Sequence, residues 1–225
     1  MLTKPLTLKL GGIFLLGGAQ GLLGWYMVKS GLVNEPMVSP LRLAAHLSMA
    51  CLLFSLLLWQ WLKLLFPSPI YHFSTLPLGL IILTFIQIIL GALVAGLDAG
   101  LAYASFPTMN GQWVPNGLWL QDPWWQNLYQ NPTTVQFIHR VGALALTLYI
   151  ATLLWKLSKA KLCALTQTLC QALIVILILQ ITLGALTVLY HVPIALAALH
   201  QFVALLLLGC AVALLYTRSP ATRLE

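Results

Sequence analysis

The stretch Leu76-Pro-Leu-Gly-Leu-Ile-Ile-Leu-Thr-Phe-Ile-Gln-Ile-Ile-Leu-Gly-Ala-Leu-Val-Ala-Gly-Leu97 decides the fold of this chain. It runs 22 residues without a charged side chain. At about 1.5 Å per residue, a helix of that length crosses the roughly 30 Å hydrocarbon core of a bilayer. In lipid every backbone N–H and C=O must be satisfied inside the chain, which leaves a helix or a closed barrel. A barrel strand needs only about ten residues of alternating character. This run is continuous and twice as long, so the sequence predicts a transmembrane helix.

Working outward, five more stretches have the same character: residues 10–28, 41–62, 133–155, 169–190 and 194–216. The predicted fold is therefore an all-α, polytopic membrane helix bundle with six transmembrane helices. Of the 225 residues, 60% are hydrophobic and 7% charged, where a soluble domain carries roughly a quarter charged. A water-soluble fold is excluded. The start, with Lys4 and Lys9 before an apolar run, imitates a secretory signal, but about 19 apolar residues exceed the usual signal core, and we read a span that stays.

The net charge of +7 would suggest nucleic acid in a soluble protein; here it reads as the basic bias of cytoplasmic loops, and no nucleic-acid partner is expected. Lys4, Lys9, Lys63, Lys156, Lys159, Lys161, Arg218 and Arg223 fall on one side of the predicted spans, and only Lys29, Arg42 and Arg140 on the other. Both termini are thus expected in the cytoplasm. Cys51, Cys163, Cys170 and Cys210 lie in or beside apolar runs, with no CxxC or CxxCH. Structural disulfides and covalently attached haem are not expected.

The longest connection, residues 98–132, lies on the outer side and carries Trp113, Trp119, Trp124, Trp125 and Tyr129. It reads either as an aromatic belt at headgroup level or as a lid over an outer site.

An internal repeat runs through the spans. Gln20-Gly-Leu-Leu-Gly24, Gln87-Ile-Ile-Leu-Gly91 and Gln180-Ile-Thr-Leu-Gly184 mark the first, third and fifth spans. His46, His139 and His200 mark the second, fourth and sixth, each about six residues inside the outer end. The unit is a hairpin with Gln and Gly going out and His coming back. Gly lets a neighbouring backbone or a flat ligand approach, and Gln hydrogen-bonds between helices. His72 and His191 fall in loops and are expected to be solvated.

An ionisable side chain inside a span is costly and marks a site by default. Imidazole out of water prefers its neutral, metal-binding form. All three rings are expected roughly 9 Å below the outer boundary. Two imidazoles at one depth on different helices make the axial pair of a six-coordinate haem. Zinc would need three or four ligands, and no Asp, Glu or Cys sits at that depth on the histidine spans. Arg140, directly after His139, and Arg42, one turn before His46, are placed to pair with a propionate. Three hairpins supply an odd number of histidines, so one is left without a partner.

Several segments together resemble the haem A synthases of the cytochrome oxidase assembly type. They are Gln20-Gly-Leu-Leu-Gly-Trp-Tyr-Met-Val-Lys-Ser-Gly-Leu32, Val38-Ser-Pro-Leu-Arg-Leu-Ala-Ala-His46, Gly91-Ala-Leu-Val-Ala-Gly-Leu-Asp-Ala-Gly-Leu101, Phe106-Pro-Thr-Met-Asn-Gly-Gln-Trp113, Gln136-Phe-Ile-His-Arg140 and Leu199-His-Gln201. Members of that family look like two fused four-helix halves, each with a histidine pair. The resemblance implies that residues 63–225 are a complete C-terminal half, with His139 and His200 as axial iron ligands of haem b and Arg140 beside it. It implies that residues 1–62 hold the last two helices of the other half, with His46 on the side of the substrate, haem o. The implied reaction oxidises a haem o methyl group to a formyl group in the bacterial cytoplasmic membrane. A second copy or a haem o synthase is the implied protein partner.

The family's helix pair with a catalytic glutamate three residues before a histidine has no counterpart here, since Glu35, Asp98, Asp122 and Glu225 are the only acids. The expectation is either an incomplete or a short form, with no catalytic residue identifiable. Two rival readings are a cytochrome b carrying electrons from quinol to a partner, and a non-catalytic assembly factor.

Overall fold

The computed structural model describes residues 4–29, 38–66 and 75–217. Six long helices account for most of them: α1 (Lys4–Val28), α2 (Pro40–Leu65), α3 (Thr75–Gly96), α5 (Pro132–Leu157), α6 (Ala164–Leu189) and α7 (Ile194–Tyr216). A short α4 (Asn127–Gln130) lies within the long connection. All six long helices are long and apolar enough to cross a membrane, and no strand occurs among the described residues.

The ends differ from the apolar runs where polar residues continue a helix beyond them. α1 begins at Lys4 rather than at residue 10, and α6 at Ala164 rather than at 169. Thr166, Gln167 and Thr168 form the first turns of α6, with the Gln167 amide donating to the Leu162 carbonyl at 3.2 Å. An apolar run reports the lipid-matched part of a helix, and hydrogen bonding carries the helix further. Pro40 and Pro132 begin α2 and α5, where a missing N–H costs nothing.

α3 is central, packing on α2, α5 and α7; α1 packs on α2, α2 also on α7, and α6 on α7. α5 and α6, though consecutive long helices, make little backbone contact. Their side chains meet only toward the end remote from the long connection, where Leu80, Leu146, Ile150, Leu153, Leu173, Leu207 and Leu214 form one buried cluster. There the Tyr149 hydroxyl, accommodated over Gly79, donates to the Leu76 carbonyl at 2.8 Å. The bundle of α3, α5, α6 and α7 is therefore filled by leucine and isoleucine at one end. Toward the other, which we call the loop end, stand the histidines.

Residues 98–131 fold on themselves. Asn127, fully buried, donates to the Gln121 and Trp124 carbonyls at 2.8 and 2.9 Å and accepts from the Gln121 N–H. Asn131 caps α5, accepting from the Thr133 and Thr134 N–H groups at 3.0 and 3.3 Å while donating to the Gly117 carbonyl at 2.9 Å. Met109 is buried, and Trp113, Trp119, Trp124 and Trp125 are exposed. Gly100 meets Val192 of the α6–α7 turn so closely that a Cβ would stand 2.8 Å from its Cγ2. Asn131→Ala is expected to lower unfolding stability in detergent by about 1–2 kcal/mol. Chemical denaturation checks this, and an unchanged midpoint would show that the cap contributes nothing.

Candidate functional site

The three-fold repeat has a physical meaning in the structure. In each hairpin, Gln and Gly are four residues apart and so lie on one face of their helix. That face receives the histidine of the next span. The Gln20 amide nitrogen lies 3.4 Å from Nε2 of His46, that of Gln87 3.1 Å from Nδ1 of His139, and that of Gln180 3.3 Å from Nε2 of His200. Gln20 and Gln87 also donate to the backbone carbonyl of their histidine, at 3.1 and 2.8 Å.

One turn on, the glycine holds the ring. A Cβ on Gly24 would stand 2.9 Å from Cε1 of His46, on Gly91 3.3 Å from Cε1 of His139, and on Gly184 2.8 Å from Cε1 of His200. The sequence reading gave these glycines the approach of a backbone or a flat ligand. The flat group is the imidazole itself. Each ring is pinned at one edge by an amide and braced at another point by bare backbone.

The depths agree with the repeat. His46, His139 and His200 are the seventh, eighth and seventh residues of α2, α5 and α7. His139 and His200 stand on the two hairpins, α3–α5 and α6–α7, that make up the bundle of α3, α5, α6 and α7. His46 stands elsewhere, on the wall of a cavity of about 300 Å³ between α2, α3 and α7 that Ala50, Ala92, Ala95 and Gln201 also line. Gln201, the neighbour of His200 in sequence, is thus the link between the two sites.

The polar atoms around the rings are under-satisfied. Nδ1 of His46 and Nδ1 of His200 are buried without a hydrogen-bond partner, as is the amide oxygen of each of the three glutamines. A buried polar group left unpaired costs about 1–3 kcal/mol, so such a cluster calls for an occupant. Neutral imidazole nitrogens on two separate helices, at one end of a leucine-packed bundle, have the chemistry to take a flat metal macrocycle. No group of three or more His, Cys, Asp or Glu that could hold a metal ion occurs among the described residues, so an ion on protein ligands alone does not fit.

Arg140 is tied to the long connection: its guanidinium donates to the Tyr103 carbonyl at 3.2 Å, Thr108 at 3.2 Å and Pro107 at 3.4 Å. The Gln136 amide joins it on Tyr103 at 3.1 Å. Arg42 stacks on Tyr26, 3.8 Å from the ring centroid, and donates to the Tyr26 carbonyl at 3.1 Å. His191 is exposed in the α6–α7 turn, and His72 lies outside the described residues.

The sequence reading missed Gly142, Gln136 and Gln201. Gly142 lies one turn after His139, and a Cβ there would strike the amide oxygen of Gln87. Its three-residue spacing from His139 was the available signal.

Residues 1–212 match the model of a family described as cytochrome oxidase assembly protein (COX15-CtaA). The chain is 44% identical over 218 residues to a heme A synthase of Nitrosospira multiformis, covering 92% of this chain and 60% of that protein. It is 47% identical over 216 residues to one of Agrobacterium fabrum, covering 93% and 59%, and 45% identical over 208 residues to one of Rickettsia bellii, covering 88% and 60%. The chain therefore spans about 60% of the length of these relatives. On the family match and these identities, the chain belongs to the cytochrome oxidase assembly protein family.

Proposed function

We propose that this chain works in haem A formation, in the oxidation of a haem o methyl group to the formyl group, and that it holds a haem b between His139 and His200. The observation that carries the reading is that the hairpins α3–α5 and α6–α7 each seat a histidine against a Gln–Gly face at matching depth. A haem b bound there supplies a one-electron relay.

The chain's own residues do the rest. His139 and His200, on different helices, would hold the iron, and residues 63–225 would be the haem-holding half. Leu146, Ile150 and Leu207 below them exclude water from that space. Three of Arg140's five N–H donors reach loop carbonyls, leaving others for a propionate. In the same reading residues 1–62 belong to the substrate side, with His46 and its cavity as contacts for haem o. A second copy or a haem o synthase is the neighbour that fits. The sidedness of Lys and Arg supports cytoplasmic termini and the bacterial inner membrane.

Pigment analysis of cells supplying haem o tests this. Haem A accumulating with the chain supports synthesis. A reducible bis-histidine spectrum without haem A would move the reading to an electron carrier. His46→Ala is expected to leave the low-spin spectrum intact while abolishing haem A accumulation. A His46→Ala variant that loses the spectrum would place His46 in the haem b pair and sink the assignment.

A further inference from the structure

The amide of Gln87 sits between two groups. Its nitrogen faces Nδ1 of His139 at 3.1 Å and the His139 carbonyl at 2.8 Å, and its oxygen is buried without a partner against the bare backbone of Gly142. An amide that donates to Nδ1 fixes the ring proton on Nε2, and an Nε2 carrying a proton has no lone pair for a metal. A ring that binds metal through Nε2 carries its proton on Nδ1, and the group facing Nδ1 must then accept.

The amide oxygen of Gln87 is the acceptor within reach. Turning the amide over gives up the bond to the His139 carbonyl, which its own helix still satisfies, pairs the ring N–H with the formerly orphaned oxygen, and puts the amide nitrogen against Gly142. Gln180 differs: its amide nitrogen faces Nε2 of His200 at 3.3 Å, and Nδ1 of that ring has no partner, so the acceptor role is confined to Gln87. Gly142 is required in either orientation, because a Cβ there would occupy the place of the amide atom turned away from His139.

Resting on the haem b reading above, we infer that Gln87 is a positioning residue that presents the metal-binding nitrogen of His139 by accepting its other ring N–H. A second-layer acceptor on a ligating imidazole fixes ring orientation and raises its basicity. A more basic ligand favours ferric over ferrous iron.

The test is the midpoint potential of haem b bound to the purified full chain in detergent. Gln87→Leu, which keeps the volume and removes the acceptor, should raise the potential. Gln87→Glu, a stronger acceptor, should lower it. A tenfold change in the ferric-to-ferrous binding ratio is expected for each, about 59 mV for one electron. Gly142→Ala should move the potential the same way as Gln87→Leu although Gln87 is untouched.

Gly142→Ala decides the matter if the Gln87 variants do not fold: a raised potential with Gln87 intact supports the inference, and an unmoved one overturns it. Haem lost in a Leu variant but kept in the matching Glu variant supports the inference, since only the acceptor differs. Gln87→Leu and Gln87→Glu variants that shift the potential in the same direction, leave it unmoved, or both lose haem would overturn it. A wild-type chain that takes up no haem would bring down the haem b reading itself, and this inference with it, a result distinct from unresponsive variants of a haem-loaded chain.

Discussion

His139→Ala and His200→Ala are each expected to remove the low-spin haem spectrum entirely from the purified chain. A six-coordinate haem takes one nitrogen from each side, and neither α5 nor α7 offers a second metal-binding side chain at that depth. Alanine also leaves the glutamine amide of its hairpin without the ring it touches, so a polar group is orphaned along with the lost ligand. Absorbance of the reduced protein reads the outcome directly. Retention of the low-spin bands in either variant would show that the pair has been assigned wrongly.

The second large effect is expected from a single methyl group. In Gly184→Ala the new Cβ would lie 2.8 Å from Cε1 of His200, inside any distance a real carbon tolerates. The ring must move, because the opposing atom belongs to a side chain braced between two helices. Overpacking of this kind costs about 1–3 kcal/mol, up to about a hundredfold in haem affinity if it falls on the bound geometry.

At Gly91 the corresponding distance is 3.3 Å, and a small give of the His139 ring suffices. Gly184→Ala should therefore weaken haem retention more than Gly91→Ala. Gly24→Ala, with 2.9 Å to His46, should leave the spectrum unchanged and act only on the His46 site. Haem titration of the three variants gives the ranking. Equal losses in all three would mean that the glycines serve helix packing in general and not their own rings.

The two experiments read different parts of one device. In the haem b reading, removing a histidine removes a ligand, and adding a methyl moves one that is still present. A chain sensitive to the first and indifferent to the second would hold its haem loosely, with rings free to find the iron. Sensitivity to both is what rings pinned between an amide and a bare backbone predict.

Much of this was legible in the sequence. Residues 76–97 could only be a helix, since lipid offers the backbone no other partner, and the other five spans followed by the same argument. The repeat of Gln-x-x-Leu-Gly and the matching depth of His46, His139 and His200 were visible because helical rise converts residue number directly into depth.

What the sequence could not give was rotation about each helix axis. In a soluble bundle the polar face shows which side looks outward, but the lipid-facing and core-facing sides of α3, α6 and α7 are both apolar. Depth without rotation leaves the partners unnamed. The seating of His200 on Gly184, the Gln87 oxygen over Gly142, and the place of His46 on a cavity that Gln201 also lines were therefore decided by packing. So was the engagement of Arg140 with the carbonyls of residues 103–108, a contact across more than thirty residues that no local pattern encodes. Composition and period fixed how deep each group lies; only the close fit of one helix against the next chose which groups touch.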